Sequence, residues 1–114
     1  MAGVIVLSDQ IVATDADILS GTRLQTVPAG GFLTFEVQAS TNSSANNYSI
    51  SVQMPNGDTP MNGVRVPAGA TDGGINNNDK MMITLPIQQG GHTVFSTNKT
   101  GTGSLFYRVT YSPA

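Results

Sequence analysis

The 114-residue chain contains no cysteine. That excludes a disulfide framework, a thiolate nucleophile and a thiolate metal site, and it favours assembly in a reducing cytoplasm. Tryptophan is absent and aromatics make up 6% of the chain, so the flat indole faces on which sugar rings stack are missing. Charge is scarce: 11% of residues are charged, against roughly 25% in an ordinary globular protein. Five bases and seven acids, scattered singly, leave a net charge of −2. Without a basic stripe there is no electrostatic footprint for nucleic acid. No apolar run approaches the length of a membrane-spanning helix. The first residues carry no positive region ahead of a long apolar segment, as a secretory signal would. The expectation is a small complete open reading frame, made and folded in the cytoplasm, with no membrane partner.

What is present belongs to strands and turns. Glycine occurs 13 times and proline 6 times, beside heavy use of Asn, Ser and Thr, and the 39% of hydrophobic residues gather in strand-length clusters. A chain of this length forms one domain, 1–114, that buries roughly two thirds of its unfolded surface. Few charges would need desolvation where such a neutral, hydrogen-bonding exterior meets another protein; a secreted protein would show the same composition.

Period-two alternation is clearest in residues 32–40, where Leu33, Phe35, Val37 and Ala39 share one side and Phe32, Thr34, Glu36, Gln38 and Ser40 the other. Tyr48, Ile50, Val52 and Met54 alternate with Ser49, Ser51 and Gln53 in the same way. Each reads as a strand with one face in a core and one in water. With only polar residues and Ala45 between them, the two are expected to pair as an antiparallel hairpin at the centre of the domain.

Elsewhere, Val4, Ile5, Val6 and Leu7 form a continuous apolar run, expected to be a strand covered on both faces, with residues 1–10 forming either an edge strand or an arm that pairs with a neighbouring subunit. Thr14, Asp15 and Asp17 ahead of Ile18 and Leu19 have the chemistry of a helix start, so at most one short helix is expected near 15–20. Residues 22–27 alternate weakly as a strand before a turn at 28–31. Asn56 and Gly57 form a strong turn signal, and 59–63 extends that loop towards a very short strand at 64–66. Residues 68–80 read as the longest irregular stretch, with Ile75 as a core plug or an exposed contact. Asp72, Asn76, Asn77, Asn78 and Asp79 there read as solvated turn residues, since no glutamate closes a calcium shell. Met81, Ile83, Leu85 and Ile87 alternate in a strand whose Pro86 places it near a sheet edge. Strands follow at 92–96 and 105–111, the last with Leu105, Tyr107, Val109 and Tyr111 on one face and Phe106, Arg108 and Thr110 on the other. About eight short strands at this spacing predict an all-β fold, a single antiparallel β-sandwich or jelly-roll-like barrel.

Chemistry is sparse. His92 is the only histidine, and neither a Gly-x-Ser-x-Gly elbow nor a cysteine accompanies it. Glu36, the only glutamate, sits on the polar side of its strand, and paired-carboxylate hydrolysis would need an Asp to converge on it. The glycine pairs 73–74 and 90–91 do not lie between a strand and a helix and read as turns. No catalytic residue, cofactor or metal ligand is expected. Three Asn-x-Ser/Thr triplets, at Asn42, Asn47 and Asn98, fit chance in such a composition. A sugar-binding sandwich is the competing reading, with Phe32 and Phe106 as the candidates for exposed aromatics.

Taken whole, this cysteine-free sequence, poor in charge and rich in Gly, Asn, Thr and Ser, resembles the small all-β decoration or cement proteins of tailed-bacteriophage capsids. The resemblance is one of type and runs over almost the whole chain to Tyr111. It implies a non-enzymatic virion protein that binds the major capsid protein on the outside of the lattice as a homo-oligomer, often a trimer; another small capsid or tail structural protein is a further alternative. The expected partner contacts are Val4, Ile5, Val6, Leu7, Ile75, Asn76, Asn77 and Phe106.

Overall fold

The computed structural model describes residues 3–40, 48–70, 75 and 80–114, with the side chains of 8–10 outside the description. Asp72, Asn76, Asn77, Asn78 and Asp79, and the triplets beginning at Asn42 and Asn47, lie wholly or partly outside the described residues. Among the described residues eight strands run in chain order: β1 Ile5–Val12, β2 Gly31–Ser40, β3 Tyr48–Gln53, β4 Met61–Arg65, β5 Ala68–Ala70, β6 Met81–Ile87, β7 Val94–Lys99 and β8 Leu105–Pro113. They form a five-stranded and a three-stranded sheet around one core, a small all-β sandwich.

β2 organises the larger sheet. Its alternation puts Leu33, Phe35, Val37 and Ala39 into the core with no exposed surface. β8 pairs antiparallel along its whole length, from Gly31↔Pro113 to Ala39↔Leu105. β6 pairs antiparallel on the opposite side, from Gly31↔Ile87 to Val37↔Met81. The chains crowd at the start of β2, where a Cβ on Gly31 would lie 2.2 Å from the Ser112 carbonyl oxygen. β1 completes the sheet by pairing with β8. The smaller sheet has the order β4-β3-β7, all antiparallel.

The expected hairpin between the two alternating strands does not form. β2 and β3 lie in different sheets; the flanks of β2 are occupied by β8 and β6, and those of β3 by β4 and β7. Their apolar faces meet across the core instead of side by side. The Phe35 and Phe95 rings, one from each sheet, pack edge to face with centroids 4.6 Å apart, a favoured aromatic geometry.

Residues 15–20, where at most one short helix was expected, contain none: Asp17 bridges to Ser96, Ile18 N donates to Phe95 O at 2.8 Å, and Thr97 N donates to Ala16 O at 2.9 Å, so this segment lies along β7. Backbone pairing there satisfies groups that a helix turn would have had to satisfy locally. Other local expectations are corrected. Residues 22–27 are turns, yet Leu24 and Val27 are both buried. The stretch read as irregular from 68 begins with β5, which pairs parallel with the end of β2 and is the exception to the antiparallel pattern. The strand read at 64–66 begins three residues earlier, at Met61.

Candidate functional site

Paired residues on neighbouring strands share a face, so the register lays out the outer face of the larger sheet row by row. Phe32 lies between Ser112 and Pro86, Thr34 between Thr110 and Thr84, and Glu36 between Arg108 and Met82. Gln38 lies beside Phe106, which is followed by Ile11 on β1; Val6 lies beside Thr110. This face carries most of the exposed large apolar side chains: Met82 at 61%, Ile11 at 58%, Phe32 at 45% and Val6 at 38%.

The middle of the face is polar and self-satisfied. Glu36 is buried rather than water-facing. Lys80 Nζ donates to its Oε1 at 2.5 Å, and Arg108 Nη1 lies 3.6 Å from its Oε2. The two cations face the two carboxylate oxygens, so the buried charge is paired on both sides. Beside it, the Thr34 and Thr84 hydroxyls lie 3.0 Å apart. Apolar side chains around an internally paired charge cluster can pack against another protein without leaving that carboxylate unpaired.

The expected contacts divide. Val6 is exposed on this face, together with half-buried Phe106, and Val4 is exposed just ahead of β1. Leu7 is buried and Ile5 packs against the core, because β1 is an edge strand with one face inward rather than a run covered on both faces. Ile75 is half-buried, and Asn76 and Asn77 are outside the described residues. Ile11 and Met82 belong to the face and were not among the expected contacts. Met82 was legible from the alternation of β6. Ile11 was not: strict alternation from Leu7 would turn it inward, and the register shift between Leu7 and Gln10 turns it outward.

The sheet edges carry several features that discourage strand addition. The Val6 carbonyl accepts from Arg23 Nη2 at 2.8 Å, and β1 is bulged after Leu7. β6 contains Pro86, which has no N–H. β4 has a register shift with Gly63 at φ 64°, and residues 16–18 lie along β7. Bulges, prolines and covering segments are the common means of preventing edge-to-edge association.

Two further places hold polar chemistry. His92 Nε2 lies 2.9 Å from Asp17 Oδ2, without the alignment of a hydrogen bond. Asp17 Oδ1 accepts from the backbone N–H groups of Leu19 and Phe95, each at 3.3 Å. This carboxylate anchors the segment to β7. A groove of about 660 Å³ lies between residues 54–60 and the end of β6, with Met54, Leu85 and Ile87 on its walls and Asp58 as its one charged group. No group of three or more His, Asp or Glu among the described residues could hold a metal ion. No helix among the described residues is long and apolar enough to cross a membrane.

No protein-family model matches the chain, and no match is found among curated proteins.

Proposed function

We propose that this chain is a non-enzymatic virion structural protein that binds the outer capsid lattice as a decoration or cement protein, acting as a homo-oligomer, with a trimer favoured. The observation that carries the reading is the outer face of the five-stranded sheet. It holds Val6, Ile11, Phe32 and Met82 in the open beside an internally paired Glu36. A surface low in charge and ringed by apolar side chains costs little to desolvate against another protein. Binding would engage the major capsid protein through this face and stabilise whichever lattice state it fits better. Several copies on one oligomer turn weak contacts into a strong attachment. The guarded edges favour docking through the face over strand addition.

A carbohydrate-binding module draws less support. Tyr48 and Tyr111 are fully buried, as are Phe35 and Phe95, and Phe32 is the one strongly exposed ring. A lone phenylalanine is a poor stacking platform.

Light scattering on the purified protein at micromolar concentration tests the reading. A trimer is the expected result, and Met82→Glu or Phe32→Glu should abolish co-sedimentation with capsids while leaving the trimer mass and the far-UV spectrum unchanged. A wild-type monomer with glycan-array binding that disappears on Phe32→Ala would replace it with the carbohydrate reading.

A further inference from the structure

The chain has two Asn-Gly pairs, Asn56–Gly57 and Asn62–Gly63. In such a pair the glycine nitrogen can attack the asparagine side-chain carbonyl, because no Cβ on the following residue hinders closure of the five-membered ring. The two pairs are held very differently.

At the first pair, both reacting groups are occupied. Gly57 N donates to Met54 O at 2.9 Å, and a carbonyl cannot pass that proton on. Asn56 Oδ1 accepts from Asp58 N at 3.0 Å while Asn56 Nδ2 donates to Asp58 Oδ2 at 3.0 Å. The amide is fixed at both ends against the rotation that ring closure requires.

At the second pair, one hydroxyl joins nucleophile to electrophile. Gly63 N donates to Ser51 Oγ at 2.9 Å, and Ser51 Oγ donates to Asn62 Oδ1 at 3.4 Å. The same oxygen accepts the proton that the nucleophile must lose and supplies one to the carbonyl oxygen that gains charge on attack. That is the placement of a bifunctional acid–base relay. Asn62 and Gly63 are exposed, and the space around Gly63 on its Cβ side is open, so solvent water reaches the site.

We propose that Asn62–Gly63 is a self-modifying site at which Ser51 relays the proton for succinimide formation, while Asn56–Gly57 is protected. The Gly63 nitrogen bonds to Asn62 Cγ as its proton passes through the Ser51 hydroxyl to Oδ1. The tetrahedral centre collapses, the bond from Cγ to the side-chain nitrogen breaks, and the relayed proton leaves with ammonia. Water then opens the cyclic imide at either carbonyl, producing aspartate or isoaspartate at position 62. Either product places a new negative charge on the exposed edge strand β4, in the strand that also carries Arg65. Isoaspartate also inserts a methylene into the backbone where β4 pairs with β3.

The test is to incubate the full-length protein at neutral pH and physiological temperature and to follow both sites by peptide mapping. Mass spectrometry reads conversion of amide to acid and distinguishes isoaspartate from aspartate. Asn62 should convert about tenfold faster than Asn56, and Ser51→Ala should slow Asn62 by about tenfold, within the usual reach of acid–base assistance. Ser51→Thr, which keeps the hydroxyl, should retain most of the wild-type rate. In denaturant the two sites should convert at similar rates. Equal rates in the folded protein, faster conversion at Asn56, or a Ser51→Ala protein in which Asn62 converts as fast as or faster than wild type would each overturn the proposal.

Discussion

Tyr48 joins distant parts of the chain through one side chain. Its ring is fully buried, and its hydroxyl donates to the Val12 carbonyl at 3.1 Å, with the Gly103 carbonyl at 3.4 Å as a second acceptor. The end of β1 and the turn before β8 thus meet on the first residue of β3. Burial pushes its phenol above the ordinary pKa of 10.0, and the nearby Asp15 charge adds to the shift. Burial raises Tyr107 in the same direction. The folded protein therefore holds these protons more tightly than the unfolded chain does. Their contribution to stability is complete below the unfolded value and is lost as pH rises through the raised folded values. Urea midpoints should fall as pH climbs above 10.0, and Tyr48→Phe should flatten part of that fall. The same substitution should cost about 1 kcal/mol at neutral pH from the lost hydrogen bond. An unchanged alkaline slope in both Tyr48→Phe and Tyr107→Phe would refute the assignment.

Strand position and strand facing were largely legible at the scale of the element. The inward sets of β2, β3 and β8 follow from alternation, and the edge position of β6 follows from Pro86. What could not be read was the use of residues 14–30. The weak alternation of 22–27 suggested a strand and the chemistry of 14–19 a helix start, but the segment has no regular pairing beyond Ala16 to Ile18 along β7. It nonetheless buries Ile18, Leu19, Leu24 and Val27. No local periodicity announces an apolar residue that enters a core from a turn, because the turn and not the strand pleat sets its direction. Arg23 in this segment reaches the Val6 carbonyl of β1, so the segment links the flank of the smaller sheet to the edge of the larger one. If it is an integral wall of the core, Leu24→Ala should destabilise the protein by about 2–4 kcal/mol. Leu85→Ala, at a half-buried position of the edge strand, should cost distinctly less. Equal urea midpoints for the two variants would contradict this role.

The whole molecule measures 41 × 26 × 22 Å and has one core shared by both sheets. Phe35 from β2, Phe95 from β7 and Tyr107 from β8 form a continuous aromatic contact through it. A shared core predicts a single unfolding transition, with far-UV and tyrosine signals coincident. It also decides what the first residues do. Ile5 pairs with Tyr111 and Leu7 with Val109, and Leu7 is buried. Removing residues 1–7 should lower stability by about 2 kcal/mol or more, with both signals shifting together. A detachable arm would leave the urea midpoint unchanged.

Sequence alone determined that the chain is all-β, where most strands lie and which side of each faces inward. Those properties depend on a two-residue period that is local to each segment. It also foreshadowed, through Val6, Phe32 and Phe106, part of the outer apolar face. Only the tertiary structure decided that β2 and β3 face each other from different sheets, that β5 pairs parallel with β2, and that Glu36 is buried beneath Lys80 and Arg108. Partner choice depends on which flanks remain open once every other strand is placed. Two alternating segments look the same to a local reading whether they pair side by side or meet across a core. The turning of Ile11 to the outer face has the same origin, since a bulge is set by the partner strand and leaves the residue's own neighbours unmarked.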